Sequence, residues 1–459
     1  MFREKLYELK EWKGVVHTTW NPNGPGVIRI HMIPPKFRPF SFAPSTVILN
    51  GQDVLPMNES WAILLTEFVR GVNEFGDGQM DDAALEDILV DAFHRVRKVY
   101  PSVSNQVLRE DLNTIVSTFD DIARNLVPAV DIGTLSLAEY APHMTAPHRM
   151  DLMVSAMAKD GHWACNQHCI HCYAAGQKYA ETQELSTDQW KKIIDRCKAA
   201  RIPQLTFTGG EPTLRKDLPE LIAHARWFVT RLNTNGILLT EDLVQKLVEA
   251  ELDSVQVTLY SHHEDVHNEL VGSKHFNDTI AGIKNALAAG LNLSVNTPLC
   301  VSNKDYVEML EFLHSLGVQY VTCSGLIVTG NATTEDSRQL QLSNEELYEI
   351  LRAAKEYTDT HDMEIDFTSP GWIDAEKLVE MQMVVPSCGA CLSNMAITPD
   401  GKVIPCQSWL SSDSLGDMLS ESWKKIWNSK NCKRIRENSA KAEGICPLRK
   451  MNESEVAHE

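Results

Sequence analysis

The sequence predicts an α/β protein: six strand–helix units form a parallel sheet curled into a partial (β/α)6 barrel, with a small α+β domain before it and a small cysteine-rich domain after it. Three observations predict this. Between about Met150 and Gly330 short β-type runs alternate with amphipathic helical runs, whereas the first 150 residues read as a hairpin followed by helices. Five of the 11 cysteines then crowd between residues 388 and 446. At 459 residues the chain exceeds the roughly 250 to 300 at which a single core stops growing, so several domains are expected.

In the N-terminal region, 1–147, "STVILNGQDVLPMNESWAILLTEFVRGV" reads as strand, turn, strand and helix. "DDAALEDILVDAFHRV" and "LREDLNTIVSTFDDIARNL" add two amphipathic helices. The Pro-rich "IPPKFRPFSFAP" before them is expected to be an irregular arm, and "YAPHMTAPHRM" to join this region to the barrel, 148–335. There the β-type runs are "DLMVSAM", "QLTFTG", "FVTRLNTNG", "SVQVTLY", "LNLSVNTPLC" and "QYVTCSGL". The runs between them include "STDQWKKIIDRCKAA", "TEDLVQKLVEAE", "FNDTIAGIKNALAAG" and "NKDYVEMLEFLHSLG". Ser186, Thr240 and Asn303 stand where N-caps belong, and Gly290 and Gly317 where helices should stop. Such alternation implies parallel strands, whose carboxyl ends carry the chemistry. Residues 336–385 read as a connecting helical segment and 386–459 as the cysteine-rich domain, whose polar tail "MNESEVAHE" is expected to be disordered.

A net charge of −19 opposes binding to nucleic acid or to an anionic membrane surface. No run of about 18 apolar residues occurs, and the start "MFREKLYELKEW" lacks an apolar signal core. The reading is a cytoplasmic protein with reduced cysteines, whose clusters suggest metal ligation rather than disulfides.

Directly after the first barrel strand, "GHWACNQHCIHCYAAG" places Cys165, Cys169 and Cys172 in the pattern C-x-x-x-C-x-x-C. A structural zinc site is closed by four ligands, whereas three thiolates on a four-iron cubane leave one iron open for a small molecule. The end of the next strand, "TFTGGEPTL", offers two glycines for close backbone approach and Glu211 for an ammonium group. Together these residues resemble the radical S-adenosylmethionine superfamily, across all six strand–helix units. The resemblance implies a [4Fe–4S] cluster on Cys165, Cys169 and Cys172, with S-adenosylmethionine on the fourth iron. It implies that Gly209, Gly210 and Glu211 face the methionyl amino group and that His171 lies near the adenine. Asn235 in "NTNG", Thr258 and Asn296 would contact the cofactor. Where many relatives carry an arginine for the methionyl carboxylate this chain has Val271, so that either Lys274 takes the role or the carboxylate is held otherwise. The chemistry implied is cleavage of the sulfonium by one electron, from a donor such as flavodoxin or ferredoxin, to a 5′-deoxyadenosyl radical that abstracts a substrate hydrogen. A zinc or redox site is the competing reading of the three thiols, and His162 and His168 are not assigned as ligands.

In "CGACLSNMAITPDGKVIPC", Cys391, Gly401 and Cys406 have the spacing C-x9-G-x4-C, with "PDGKV" as a turn that brings Cys391 and Cys406 together next to Cys388. Cys446 or Cys432 completes four ligands. This resembles the auxiliary-cluster extension called SPASM, or its shorter twitch form, and implies one auxiliary [4Fe–4S] cluster on Cys388, Cys391, Cys406 and Cys446. A zinc ribbon is the alternative. The first 150 residues are similar to the winged-helix peptide-recognition element known from the pyrroloquinoline quinone peptide chaperone, which captures a leader peptide as an added strand. The implied function is modification of a genetically encoded precursor peptide, by cross-linking or epimerisation. The alternatives are a small-molecule cofactor or tetrapyrrole substrate, and a non-catalytic iron–sulfur carrier or peptide-binding scaffold.

Overall fold

The computed structural model describes residues 2–12, 14–20, 28–35, 45–50, 53–76, 80–123, 126–130, 139, 141–411, 413–441 and 445–448. The Pro-rich arm from 36 and the polar tail lie outside the described residues. The chain divides into two compact units, 1–148 with 198–203 and 149–197 with 204–459.

The first unit opens with α1 (Phe2–Lys10) and continues with β1 (Val16–Trp20), β2 (Ile28–Ile33), β3 (Ser45–Leu49) and β4 (Asp53–Met57). These four pair in chain order as an antiparallel sheet. At the expected turn, Asn50 takes a left-handed φ of 51°, and its amide N–H donates to the Arg29 carbonyl while its side chain accepts the Arg29 N–H. Three helices follow: α2 (Glu59–Phe75), α3 (Asp82–Val99) and α4 (Asn105–Ala123). Asn58 and Asp81 cap the first two, accepting the N–H of Trp61 and of Ala84. On α4 the buried Leu108, Leu112, Ile115 and Phe119 recur at helical spacing and join Val47, Leu49 and Leu55 of the sheet in one core. β1 and β2 were not expected from the sequence. The run "VHTTW" is polar, and its strand character follows from its pairing with β2 rather than from its own pattern.

The second unit is built on β5 (Arg149–Ser155), β6 (Ala158–Lys159), β7 (His162–Trp163), β8 (Gln204–Gly209), β9 (Val229–Thr234), β10 (Ser254–Thr258), β11 (Asn292–Pro298), β12 (Tyr320–Ser324), β13 (Glu364–Phe367), β14 (Asn394–Ile397), β15 (Lys402–Ile404) and β16 (Gly416–Asp417). Between the strands run α5 (Thr187–Ala199), α6 (Leu218–His224), α7 (Glu241–Glu249), α8 (Glu264–Val271), α9 (Phe276–Ala288), α10 (Tyr306–Ser315), α11 (Glu335–Arg338), α12 (Asn344–Thr358) and α13 (Ala375–Glu380), with α14 (Trp423–Trp427) and α15 (Lys430–Lys441) at the end. All six expected barrel strands form and lie parallel in one ten-stranded sheet of order β13-β12-β11-β10-β9-β8-β5-β14-β15-β16. Two features of that sheet were not read from the sequence. β13 adds a further parallel strand beside β12, and the hairpin β14–β15 of the cysteine-rich region joins the sheet, with β14 parallel to β5.

In β10, β11 and β12 burial alternates along the strand. One face carries Leu205, Phe207, Val255, Val257, Leu293 and Val295, all buried. The other is polar and cross-bonded: Gln256 donates to Thr322 and Ser294, Arg231 to Ser294, and Thr322 to Asn296. Ser186 and Thr240 cap α5 and α7 as expected, and Gly290 and Gly317 follow their helices with φ of 73° and 90°. Asn303 is a correction. It lies in a short 3-10 turn before α10, whose N-cap is Asp305, and its buried amide ties Tyr260 O, Pro298 O and Cys300 N together. Its amide donates to Tyr260 O and Pro298 O while its oxygen accepts from Cys300 N, so the side chain points back into these loops rather than to a helix start.

Candidate functional site

The loop carrying Cys165, Cys169 and Cys172 leaves the carboxyl end of β5 and is held from both sides by segments far away in sequence. On one side the N–H groups of His168 and Ile170 donate to the carbonyls of Val271 and Leu270 at the end of α8. There Gly272, at φ 60°, lies so close that a Cβ would stand 2.6 Å from the His168 carbonyl oxygen. On the other side Asn331 donates its backbone N–H to Cys172 O and its side-chain amide to Cys169 O, Ser337 donates to Ile170 O, and Thr329 to Tyr173 O. The indole of Trp163 donates to Gln167 O, and its ring stacks on His168 at 4.9 Å.

The three thiols of this pinned loop lie close enough to influence one another electrostatically. Burial pushes the Cys165 thiol up to about 12, with Glu211 and Cys172 adding to the rise, and raises Cys169, with Cys172 and Cys165 adding to it. Burial raises Cys172 as well. These half-buried sulfurs stay protonated near neutral pH, and a bound cationic centre would displace the protons and stabilise the thiolates that ligate it.

Glu211, 1 % exposed, is the hub of the second half of the site. Its Oε1 accepts from Thr213 N, Thr213 Oγ1 and Thr234 Oγ1, and its Oε2 accepts the Asn235 N–H at 2.8 Å. Burial pushes its pKa up and these donors pull it back, leaving it raised. The Asn235 side chain donates to Asn166 Oδ1 at 2.7 Å, which links this hub to the residue beside Cys165. Gly209 and Gly210 serve a purpose the sequence did not reveal: a Cβ would meet Ser155 O at 2.3 Å and Ala156 O at 2.6 Å, so the two glycines admit the backbone at the end of β5 and just beyond it. Thr258 and Asn296 are register partners on β10 and β11 at the same end of the sheet. His171 packs edge-on against Tyr260 at 4.8 Å, and both its ring nitrogens are buried without a protein partner. Two orphaned polar atoms on the loop that carries the three thiols, together with a satisfied carboxylate, fit a nucleoside-bearing cofactor held at a cluster. Val271 is fully buried and holds the loop through its carbonyl; Lys274 is exposed.

Sequence reasoning missed Tyr260, Asn166, Thr213, Thr234, Asn331 and Ser337. "SVQVTLY" ends on Tyr260, but nothing local signals a ring that reaches the cysteine loop.

The second cysteine group also converges. Cys391, at φ 55°, donates its N–H to Pro405 O, which closes the β14–β15 hairpin beneath it, and Gly401 turns that hairpin at φ 86°. Burial pushes Cys406 up to about 12, with Cys388 and Cys446 adding to it. A hydrogen bond to Cys432 raises Cys391 and the same bond lowers Cys432, whose sulfur also lies 3.6 Å from an Arg436 guanidinium stacked on Trp427. The geometry thus gathers both sequence alternatives, Cys446 against Cys406 and Cys432 against Cys391. Cys197, Cys300 and Cys323 are buried, as expected of small apolar residues.

Residues 164–316 match the family model described as the radical SAM superfamily, and residues 388–448 the model of the SPASM iron-sulfur cluster-binding domain. The chain carries a radical SAM domain followed by a SPASM domain. A radical SAM domain binds S-adenosylmethionine and a [4Fe–4S] cluster, and a SPASM domain binds auxiliary iron–sulfur clusters. A curated relative, Fe-coproporphyrin III synthase of Methanosarcina barkeri, is 31% identical over 182 residues, 39% of this chain and 45% of that protein. The match thus spans under half the length of the relative. Streptococcus suis SuiB, crystallised with S-adenosylmethionine, shares the fold over 89% of this chain and 93% of its own, with a TM-score of 0.60 and 14% identity. SuiB bound to its precursor peptide SuiA matches over the same shares at 0.58 and 14% identity. The AdoMet-bound anSMEcpe covers 64% of this chain and 84% of its own at 0.51 and 14% identity. Among the described residues no helix is long and apolar enough to cross a membrane.

Proposed function

We propose that this radical SAM enzyme modifies a genetically encoded peptide, forming a cross-link or inverting a stereocentre. The observation that carries the radical chemistry is the meeting of three half-buried thiols on one pinned loop with the fully bonded Glu211 and the unpartnered ring of His171 at the carboxyl ends of one parallel sheet. In this reading Cys165, Cys169 and Cys172 hold the cluster. Glu211, fixed by Thr213, Thr234 and Asn235, faces the methionyl amino group with Gly209 and Gly210, and His171, Thr258 and Asn296 border the rest of the cofactor. When bound, the cluster and S-adenosylmethionine supply a 5′-deoxyadenosyl radical. The protein's part is to orient the substrate C–H bond and exclude water and competing bonds. Cys388, Cys391, Cys406 and Cys446 hold one auxiliary [4Fe–4S] cluster, with Cys432 poised beside Cys391, and a flavodoxin or ferredoxin supplies the electron.

The peptide assignment is supported by the extent of the shared fold: SuiB, crystallised with a precursor peptide, resembles this chain over nearly its whole length. The N-terminal unit would hold the leader while the core segment enters the sheet's open end. A second reading is favoured by the Fe-coproporphyrin III synthase match, and takes an iron-porphyrin precursor as substrate. Incubating the reconstituted, reduced enzyme with S-adenosylmethionine and peptides encoded beside its gene separates the two. Loss of two mass units, or unchanged mass with altered stereochemistry, supports the peptide reading. Formation of 5′-deoxyadenosine that rises only with a tetrapyrrole transfers the assignment to the second. No 5′-deoxyadenosine at all restores the non-catalytic carrier.

A further inference from the structure

Away from both cysteine groups, two neighbouring loops place two imidazoles and two carboxylates together. His262 and His263 end the loop between β10 and α8, and Asp305 and Glu308 lie one helical turn apart at the start of α10. One ligand atom from each of the four lies within 4.8 Å of the others. His262 Nε2 is 3.7 Å from Glu308 and 3.9 Å from Asp305, and His263 Nε2 is 3.4 Å from the same Asp305 oxygen. Zinc bonds of about 2.0–2.1 Å at tetrahedral angles set their ligand atoms roughly 3.3 Å apart. The closest pair, at 3.4 Å, already has that spacing, and the remaining pairs, all within 4.8 Å, would have to draw in around the ion.

We propose that His262, His263, Asp305 and Glu308 form a site for a divalent first-row transition metal that bridges the loops after β10 and β11. Two imidazoles favour zinc and its neighbours over calcium or magnesium, which take oxygen ligands, and two carboxylates neutralise a double charge. The His262 side chain is 14% exposed and Glu308 66%, so the site has a buried wall and an open mouth through which an ion enters. Its position gives it consequence. Tyr260, whose ring packs on His171, lies two residues before His262, and Asn303, two residues before Asp305, already bonds the Tyr260 carbonyl. A metal here would clasp the same two loops more tightly and fix the rim beside the cysteine loop.

The test uses full-length protein with its clusters reconstituted anaerobically, so that thiols are not open to added metal. The protein is dialysed against micromolar zinc chloride. Bound zinc is counted by mass spectrometry and its ligands are read by X-ray absorption. The double variant His263→Ala/Glu308→Gln removes two exposed ligands and leaves the buried wall, so it keeps the fold; iron content and circular dichroism check this. The expected result is one zinc per chain above the variant, with nitrogen and oxygen neighbours, outer imidazole scattering and no sulfur. Wild type would also unfold at a higher temperature with zinc and the variant would not. Equal zinc in the two proteins, or sulfur-ligated zinc in the wild type, would overturn the proposal.

Discussion

Glu211 receives two backbone N–H and two hydroxyl donors on a carboxylate that is almost wholly buried. The donors suit an anion, so Glu211→Gln turns one oxygen into a second donor set facing N–H and O–H groups that need an acceptor. Each hydrogen bond lost to a charged partner is worth about 1.5–3 kcal/mol. We expect S-adenosylmethionine binding, measured by equilibrium dialysis, to weaken at least tenfold while iron content stays unchanged; equal binding would assign Glu211 a purely structural role. His267 gives a second prediction. Its buried Nδ1 accepts the Tyr260 N–H, and burial holds its pKa at about 4, below the ordinary 6.5. As pH falls below about 6.5 the unfolded chain takes up the proton and the folded one does not. Stability contributed by neutral His267 is therefore complete above that pH and declines toward pH 4 by roughly 3 kcal/mol, at about 1.4 kcal/mol per unit. Urea unfolding at pH 7.5 and 4.5 should show a steeper loss in wild type than in His267→Gln. At this scale the sequence was legible where a motif is local. Cys165, Cys169, Cys172 and Glu211 stand within short runs, but Tyr260 and Asn331 reach the same loop through packing across about a hundred residues or more, which leaves no local pattern.

The cysteine loop shows how elements do what motifs cannot. Eight residues carry the thiols, yet their backbone is positioned by the end of α8 and by the turn from Thr329 to Ser337. Gly272 is the tightest point of the first contact, since its left-handed φ and the 2.6 Å approach to His168 O both exclude a side chain. Gly272→Ala should therefore push α8 off the loop. On the proposed reading of one auxiliary cluster, reconstituted iron is expected to fall from about eight atoms per chain toward four, one cubane's worth, with far-ultraviolet circular dichroism unchanged. Full iron in the variant would show that the loop holds its cluster without this buttress. The strand–helix alternation that betrayed β5 and β8 to β12 works because each unit has its own period. The hairpin β14–β15 was readable as a hairpin, but its place beside β5 was not. A four-residue strand such as "NMAI" carries no record of which edge it joins, and only the completed sheet with β5 exposed on one side supplies the partner.

For the molecule as a whole, the N-terminal unit has its own sheet, helices and core, and its residues include no cysteine of either group. A leader-binding role for this unit would act by raising the local concentration of the segment the enzyme modifies. If it holds a leader, the attached core segment reacts as though present at about millimolar concentration, and avidity of this kind amounts to a factor of roughly 10² to 10⁴. A precursor peptide should then lose that factor in kcat/KM when its leader is removed. Leader supplied as a separate peptide should restore little, because it occupies the unit without tethering the core. The loss should fall mainly on KM, since the reacting C–H bond and its surroundings are the same with or without the leader. Steady-state rates of 5′-deoxyadenosine formation with intact, leaderless and two-piece substrates measure this directly. Equal kcat/KM for intact and leaderless peptide would deny the N-terminal unit a tethering role and favour a small substrate that needs no tether.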